Sequence, residues 1–476
     1  REGVGSCPQH IWSPIHGTDA ISSTNEDDCL YLNIWRPGHL DPECGVKPVV
    51  VVLHGGRFQF GGGGTYTYYN GQNMAAFWDV VVVAPAYRVG VFGFLNAMVP
   101  EAPGNVGLLD QAVALRWVRR HITSFGGDNK RVTLLGHEAG ASSVGFHLSS
   151  NERSDLFHRV ILMSGSPFSP VPSNSDFAAL HNLMSLANLM GCRAPRWDVN
   201  QMSGRRQIVE CLRKQSVEST VIAANQLALC NEKILYGPSL VADYPRTLRR
   251  QRKSLKPIDV LLGSTKDEGT IYVSETMLRF GLVADQTLTV DKMIAALREL
   301  LGAYGVRQAD LVVDYYGFNN FTSNTTSAEI LTVNAAKLIG DFFVYCPAIY
   351  FLEESFAADS RLFFYEFDYN PGYKLWPAWQ GVPQFLDFFF AAGLLGVLEG
   401  KQDVREQDWG LASDMIAVFS AFARTGNPNT LPNLIWHRWS RARDGPLILD
   451  YSPNSVYTTA SSLRRSKRCD FWRQFF

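Results

Sequence analysis

Gly136-His137-Glu138-Ala139-Gly140 has the spacing of a Gly-x-Ser-x-Gly nucleophile elbow, with a glutamate where the serine belongs. In such an elbow the central residue sits on a sharp strand-to-helix turn between small residues, so that its side chain projects alone into a cleft. A carboxylate at that point cannot form the usual acyl-serine. Sites with a carboxylate nucleophile exist, but the ester they form needs a base to activate water. His137 is next in sequence, yet neighbours on an elbow point apart, so it does not take that part.

The flanking residues supply the elements an elbow needs. Arg131 to Leu135 reads as a buried strand, and Ala141 to Leu148 has helical spacing. Upstream, the β-branched run Val49 to Leu53 leads into His54-Gly55-Gly56-Arg57-Phe58, a strand-then-glycine loop of the sort that lends backbone N–H groups to an oxyanion hole. Further strands are expected over Val80 to Ala84, Val160 to Met163, Asp259 to Leu262 and Leu362 to Phe367, and helices over Leu109 to Arg120 and Met293 to Leu301. This alternation predicts an α/β fold with a largely parallel sheet covered by helices on both faces. Gly55, Gly136 and the turn after Leu262 then fall at carboxyl ends of strands, where parallel sheets carry their functional loops.

Composition sets the limits. The 476 residues show no break in character and read as one domain over 1–476, with 46% hydrophobic and 19% charged residues. A net charge of -1 argues against nucleic acid as a partner. Eight cysteines and the sequons at Asn320 and Asn324 point to an oxidising, glycosylating compartment. No signal-like segment is present, and the most apolar stretch, Phe385 to Leu398, is short and contains Asp387, so any membrane attachment is expected from a segment outside this chain. No cofactor and no metal site is expected.

Longer motifs carry a resemblance. Asp27-Asp28-Cys29-Leu30-Tyr31-Leu32-Asn33-Ile34-Trp35-Arg36-Pro37, Asn105-Val106-Gly107-Leu108-Leu109-Asp110-Gln111, the run from Phe125-Gly126-Gly127 through Gly140, and Cys469-Asp470-Phe471-Trp472 together resemble the type B carboxylesterase and cholinesterase group of α/β-hydrolases. The resemblance covers nearly the whole chain, with the group's first strands missing before Arg1. It implies the α/β-hydrolase fold. It places the nucleophile position on Glu138, the acid position on Glu268 in Lys266-Asp267-Glu268-Gly269, the histidine position on Gln384 in Trp379-Gln380-Gly381-Val382-Pro383-Gln384, and the oxyanion donors on Gly56, Arg57 and Ala139. Glutamine has no titratable group with which to act as a base, and loss of two triad members leaves at best residual effects. The resemblance also implies disulfides Cys7–Cys29, Cys192–Cys211 and Cys346–Cys469; Cys44 and Cys230 have no counterpart, and buried free thiols or an extra bridge stay equally open, with an intermolecular bond as the lesser alternative.

The expectation is therefore a catalytically inactive extracellular domain of the group's adhesion branch, working in cell adhesion or neuronal recognition. Its partner would be a secreted or cell-surface immunoglobulin-domain protein, met through the outer surface. If the end four residues after Trp472 is native, the resemblance implies a type II membrane protein. The rivals are a divergent secreted carboxylesterase or carboxylate-nucleophile hydrolase, and a binder of a small hydrophobic ligand in the gorge. Leu297-Arg298-Glu299 matches a tripeptide proposed as an adhesion signal but reads as plain helix, and the basic runs Arg249 to Lys253 and Arg464 to Arg468 read as solvated faces. Trp376, Trp379 and Phe385 fit a gorge lining and core packing equally. Two arrangements are open for Glu138: an ion pair with the Arg57 guanidinium, or bonds to the amides of its own elbow.

Overall fold

A computed structural model gives the fold. It describes residues 6–11, 20–22, 28–38, 45–63, 67–148, 153–170, 176–193, 198–229, 236–238, 257–279, 288–322, 327–373, 376–398, 404–431, 435–439, 447–452, 455–458 and 463–476. Cys44, Cys230, Asn324 and the run Arg249 to Lys253 lie outside them.

Among the described residues the large sheet has nine strands: β1 Leu32–Trp35, β2 Lys47–Leu53, β3 Val81–Pro85, β4 Gly127–His137, β5 Arg159–Met163, β6 Asp259–Thr265, β7 Arg361–Phe367, β8 Leu447–Ser452 and β9 Ser455–Thr458. Their spatial order is β9-β8-β7-β6-β5-β4-β2-β3-β1. The interior pairs are parallel, and only the edge pairs β3/β1 and β8/β9 are antiparallel. This is the largely parallel sheet expected from the alternation of strands and helices, in the α/β-hydrolase architecture that the resemblance implies.

A strand buried on both faces needs apolar residues at every position, not at alternate ones. In β2, Val49, Val51 and Leu53 enter one core cluster, whereas Val50 and Val52 enter the cluster on the other face. The continuous valine run is thus the signature of a central parallel strand. Register ties its end to the elbow: Leu53 pairs with Gly136 of β4, and His137 pairs with Met163 of β5. The expected helices lie within Val106–His121, Ala139–Leu148 and Val290–Ala303.

One element differs from expectation. Ala328–Glu354 runs as a continuous 27-residue helix, long and apolar enough by length and composition to cross a membrane, where Phe385 to Leu398 had been the most apolar stretch. Its most apolar stretch is 89% buried inside the domain, and Leu331, Leu338, Phe342 and Phe351 enter the same core cluster as Val49 and Leu53. Its apolarity is that of a core helix. A π-helical turn at Asp341–Tyr345 interrupts its middle.

Among the described residues, three disulfides join Cys7 to Cys29, Cys192 to Cys211 and Cys346 to Cys469, the pairs that the resemblance implies. Leu297 is buried and Arg298 pairs with Asp310, so that tripeptide is built into a packed helix. Asn320 is exposed at the end of the short turn Phe318–Asn320.

Candidate functional site

The elbow forms where β4 ends. Glu138 has φ 54°, in the left-handed region, and the helix Ala139–Leu148 starts at the next residue. A non-glycine residue held there stores about 1–3 kcal/mol of strain, which the surrounding backbone must enforce. It does so by direct contact: a Cβ on Gly136 would meet the Gly140 carbonyl oxygen at 2.2 Å, one on Gly140 the Leu53 oxygen at 2.0 Å, and one on Gly165 the Glu138 oxygen at 2.4 Å. The Glu138 N–H donates to the Met163 carbonyl at 2.9 Å, and its own carbonyl accepts from Ser142 N–H at 3.0 Å.

The loop leaving β2 turns through three successive left-handed residues, Gly56 at φ 106°, Arg57 at 53° and Phe58 at 63°. This aims the N–H groups of Gly56 and Arg57 at one point. Oε2 of Glu138 occupies that point, accepting from Gly56 N–H at 2.7 Å and Arg57 N–H at 2.8 Å. The arrangement is neither of the two expected. Glu138 meets Arg57 through the main chain, while the Arg57 guanidinium lies over the Tyr272 ring, 4.2 Å from its centroid. The physical reason is preorganisation: two donors already fixed by a strained turn bind a carboxylate oxygen without ordering a flexible side chain. Ala139, the third donor position, opens the helix beside them. Gly55 N–H is engaged elsewhere, donating to the Tyr69 hydroxyl at 3.0 Å, which also lies 3.1 Å from His137 Nδ1.

Glu268, at the acid position, is fully buried after β6, and its Oε1 accepts from Thr265 N–H at 2.7 Å. Its loop is fastened to the loop that carries Gln384, since Asp267 N–H donates to the Val382 carbonyl at 3.0 Å and Val382 N–H donates to Asp267 Oδ2 at 2.9 Å. Gln384, at the histidine position, is buried. Its Nε2 donates to the Ser164 carbonyl at 3.2 Å, and its side chain also bonds the Tyr272 hydroxyl. Glu138, Arg57, Tyr272 and Gln384 therefore form one connected group over the elbow.

Burial governs the electrostatics. It pushes His137 down to about 3 and His54 down to about 4, so both imidazoles are neutral at pH 7. Asp387, three residues after Gln384, is pushed up to about 6 by burial, partly countered by the Tyr365 hydroxyl, which donates to it at 2.6 Å. The Tyr272 hydroxyl is raised by burial and then by the Glu138 charge, with Arg57 acting the other way. Among the described residues, a cavity of about 90 Å³ beside the group is bordered by Tyr68, Trp376, Gln380, Gln384, Phe385 and Phe389. Trp376 and Phe385 line it, whereas Trp379 packs against the core cluster of the other sheet face. Among the described residues, no group of three His, Cys, Asp or Glu side chains is arranged to hold a metal ion.

Sequence reasoning missed Tyr69, Tyr272 and Ser164. Tyr272 had a signal, standing four residues after Glu268 and so on the same helical face. Tyr69 and Ser164 had none, because their roles depend on contacts across the fold.

Comparison with known proteins agrees with this geometry. The sequence profile described as the Carboxylesterase family matches residues 4–472. The chain is 30% identical over 475 residues to acetylcholinesterase of Bungarus fasciatus, covering 98% of this chain and 73% of that protein. It is also 30% identical over 488 residues to cholinesterase of Mus musculus, covering 99% and 77%. With the sheet order, the elbow and nearly the full length in agreement, the chain belongs to the carboxylesterase family.

Proposed function

We propose that the chain is a non-enzymatic extracellular domain that binds another protein in cell adhesion or neuronal recognition, in the manner of neurotactin within this family. One observation carries the reading: Oε2 of Glu138 takes both backbone donors of the oxyanion loop, at 2.7 and 2.8 Å. A substrate carbonyl would have to displace a carboxylate held by charge-assisted bonds, and would then find glutamine where a base is required. The disulfides support an extracellular setting; membrane attachment in this reading is through a segment outside this chain. A protein partner needs roughly 800 Å² from each side, which favours the outer surface. The adjoining cavity of about 90 Å³ is also small beside the roughly 300–1,000 Å³ of small-molecule sites. The partner in this reading is a secreted or cell-surface immunoglobulin-domain adhesion protein.

The test is turnover by the purified chain. Short acyl esters and acetylthiocholine are expected to be hydrolysed no faster than in buffer, with Glu138→Ala indistinguishable from the parent. Turnover that vanishes in Glu138→Ala would replace this reading with carboxylate-nucleophile catalysis. In parallel, a screen against immunoglobulin-domain proteins should yield a binder whose affinity falls with charge reversals on the outer surface and is untouched by Glu138→Ser.

A further inference from the structure

Glu138 and Gln384 stand at two of the positions that acyl transfer requires, yet the donors themselves are in working order. Two N–H groups within 2.8 Å of one oxygen satisfy the geometric demand on an oxyanion hole, with Glu138 Oε2 standing in for the oxyanion. The strained turn that aims them is built, as is the left-handed elbow beneath them. The Glu268 loop and the Gln384 loop are clipped together by the pair of bonds between Asp267 and Val382.

The remaining obstacle is the Arg57 side chain. It starts at one donor of the hole and ends over Tyr272, whose hydroxyl is bonded to Gln384. It therefore spans from the oxyanion wall to the base wall. Those are the two walls that an acyl group must separate when its carbonyl oxygen enters the hole. Left-handed backbone is no reason for arginine at this position, since glycine adopts φ 53° without strain.

We infer that the Arg57 side chain is a separate lock on a latent acyl-transfer site for short acyl and phosphonyl groups, distinct from the changes at 138 and 384. This rests on the reading of Glu138 and Gln384 given above, and its test is independent of turnover by the parent chain. Restoring a hydroxyl nucleophile and an imidazole leaves the lock closed; removing the arginine side chain opens it.

The experiment compares the 476-residue chain carrying Glu138→Ser with Gln384→His against the same chain carrying Arg57→Gly as well. A fluorophosphonate is the probe. The introduced serine oxygen bonds to phosphorus, the P–F bond breaks, fluoride leaves, and the hydroxyl proton passes to the introduced imidazole, while the phosphoryl oxygen sits on the N–H groups of positions 56 and 57. Thermal unfolding of each variant establishes that it is folded. The expected result is labelling of the double variant at least about tenfold slower than that of the triple variant, a barrier difference of about 1.4 kcal/mol. Equal labelling rates would remove Arg57 as a lock. A folded triple variant that does not label would overturn the inference from the other side, by showing that the hole is not competent.

Discussion

At the scale of single residues, Glu138 makes a structural contact across the fold. Its carboxylate satisfies two N–H groups that would otherwise stay unpaired in a closed site, and losing one partner of a charge-assisted bond costs more than losing a neutral one. Glu138→Ala should lower stability by about 1–3 kcal/mol, read as a lower urea midpoint with an unchanged slope. Buried titratable groups make a second claim. His54, His137 and His147 are pushed by burial to about 4, about 3 and about 4 from the ordinary 6.5. As pH falls from 6.5 toward 4, the unfolded chain takes up protons that the folded one refuses, so stability is lost on that descent and is complete above it. Asp387 acts oppositely. Between 3.8 and about 6 the fold holds a proton that the unfolded chain has released, and that contribution is lost as pH rises through 6. Three imidazoles outweigh one carboxyl, so the urea midpoint should be lower at pH 5 than at pH 7.5. Asp387→Asn should raise the midpoint at pH 7.5, by about 1–3 kcal/mol in stability, and leave it nearly unchanged at pH 4.

At the scale of elements, the elbow is a contact between backbones. The first turn of Ala139–Leu148 sits so close to the end of β2 that a methyl group on Gly140 would lie 2.0 Å from the Leu53 oxygen. Gly140→Ala must push the helix off the strand. A loss of about 1–3 kcal/mol in thermal or urea unfolding is expected, more than for Gly302→Ala, where the added methyl meets nothing within 4 Å. Such elements were the most legible part of the sequence. The valine run of β2 and the glycines around Glu138 encode strand, turn and contact locally, so strand positions and elbow followed from residue type alone. Ala328–Glu354 was harder, because an apolar helix buried on most of its surface lacks the stripe that marks an amphipathic one. The destination of the Glu138 side chain was not legible. Gly56 and Arg57 are 82 and 81 residues away, and whether a carboxylate turns to a guanidinium or to main-chain N–H groups depends on the turn that three successive positive φ values create.

At the scale of the whole molecule, the last helix is sewn onto the middle of the chain. Leu463–Trp472 packs by the Cys346–Cys469 bond, by Arg468 on the buried carboxylate of Asp341, and by the Trp472 indole N–H donating to the Tyr316 hydroxyl at 2.8 Å, which itself donates to Asp341 at 2.8 Å. The disulfide closes a separation of 123 residues, long enough for its removal to cost about 2–5 kcal/mol by restoring freedom to the unfolded chain. Cys346→Ser with Cys469→Ser should therefore lower the thermal midpoint, and a reductant should have no further effect through this bond. The same bond makes the end of the chain a lariat. A basic-site protease cutting anywhere from Arg464 to Arg468 would sever the main chain without shedding the piece beyond the cut, because Cys469 keeps it tied to Cys346. Such a nick would be silent on a non-reducing gel and would show only after reduction, because the cut molecule stays one covalent body.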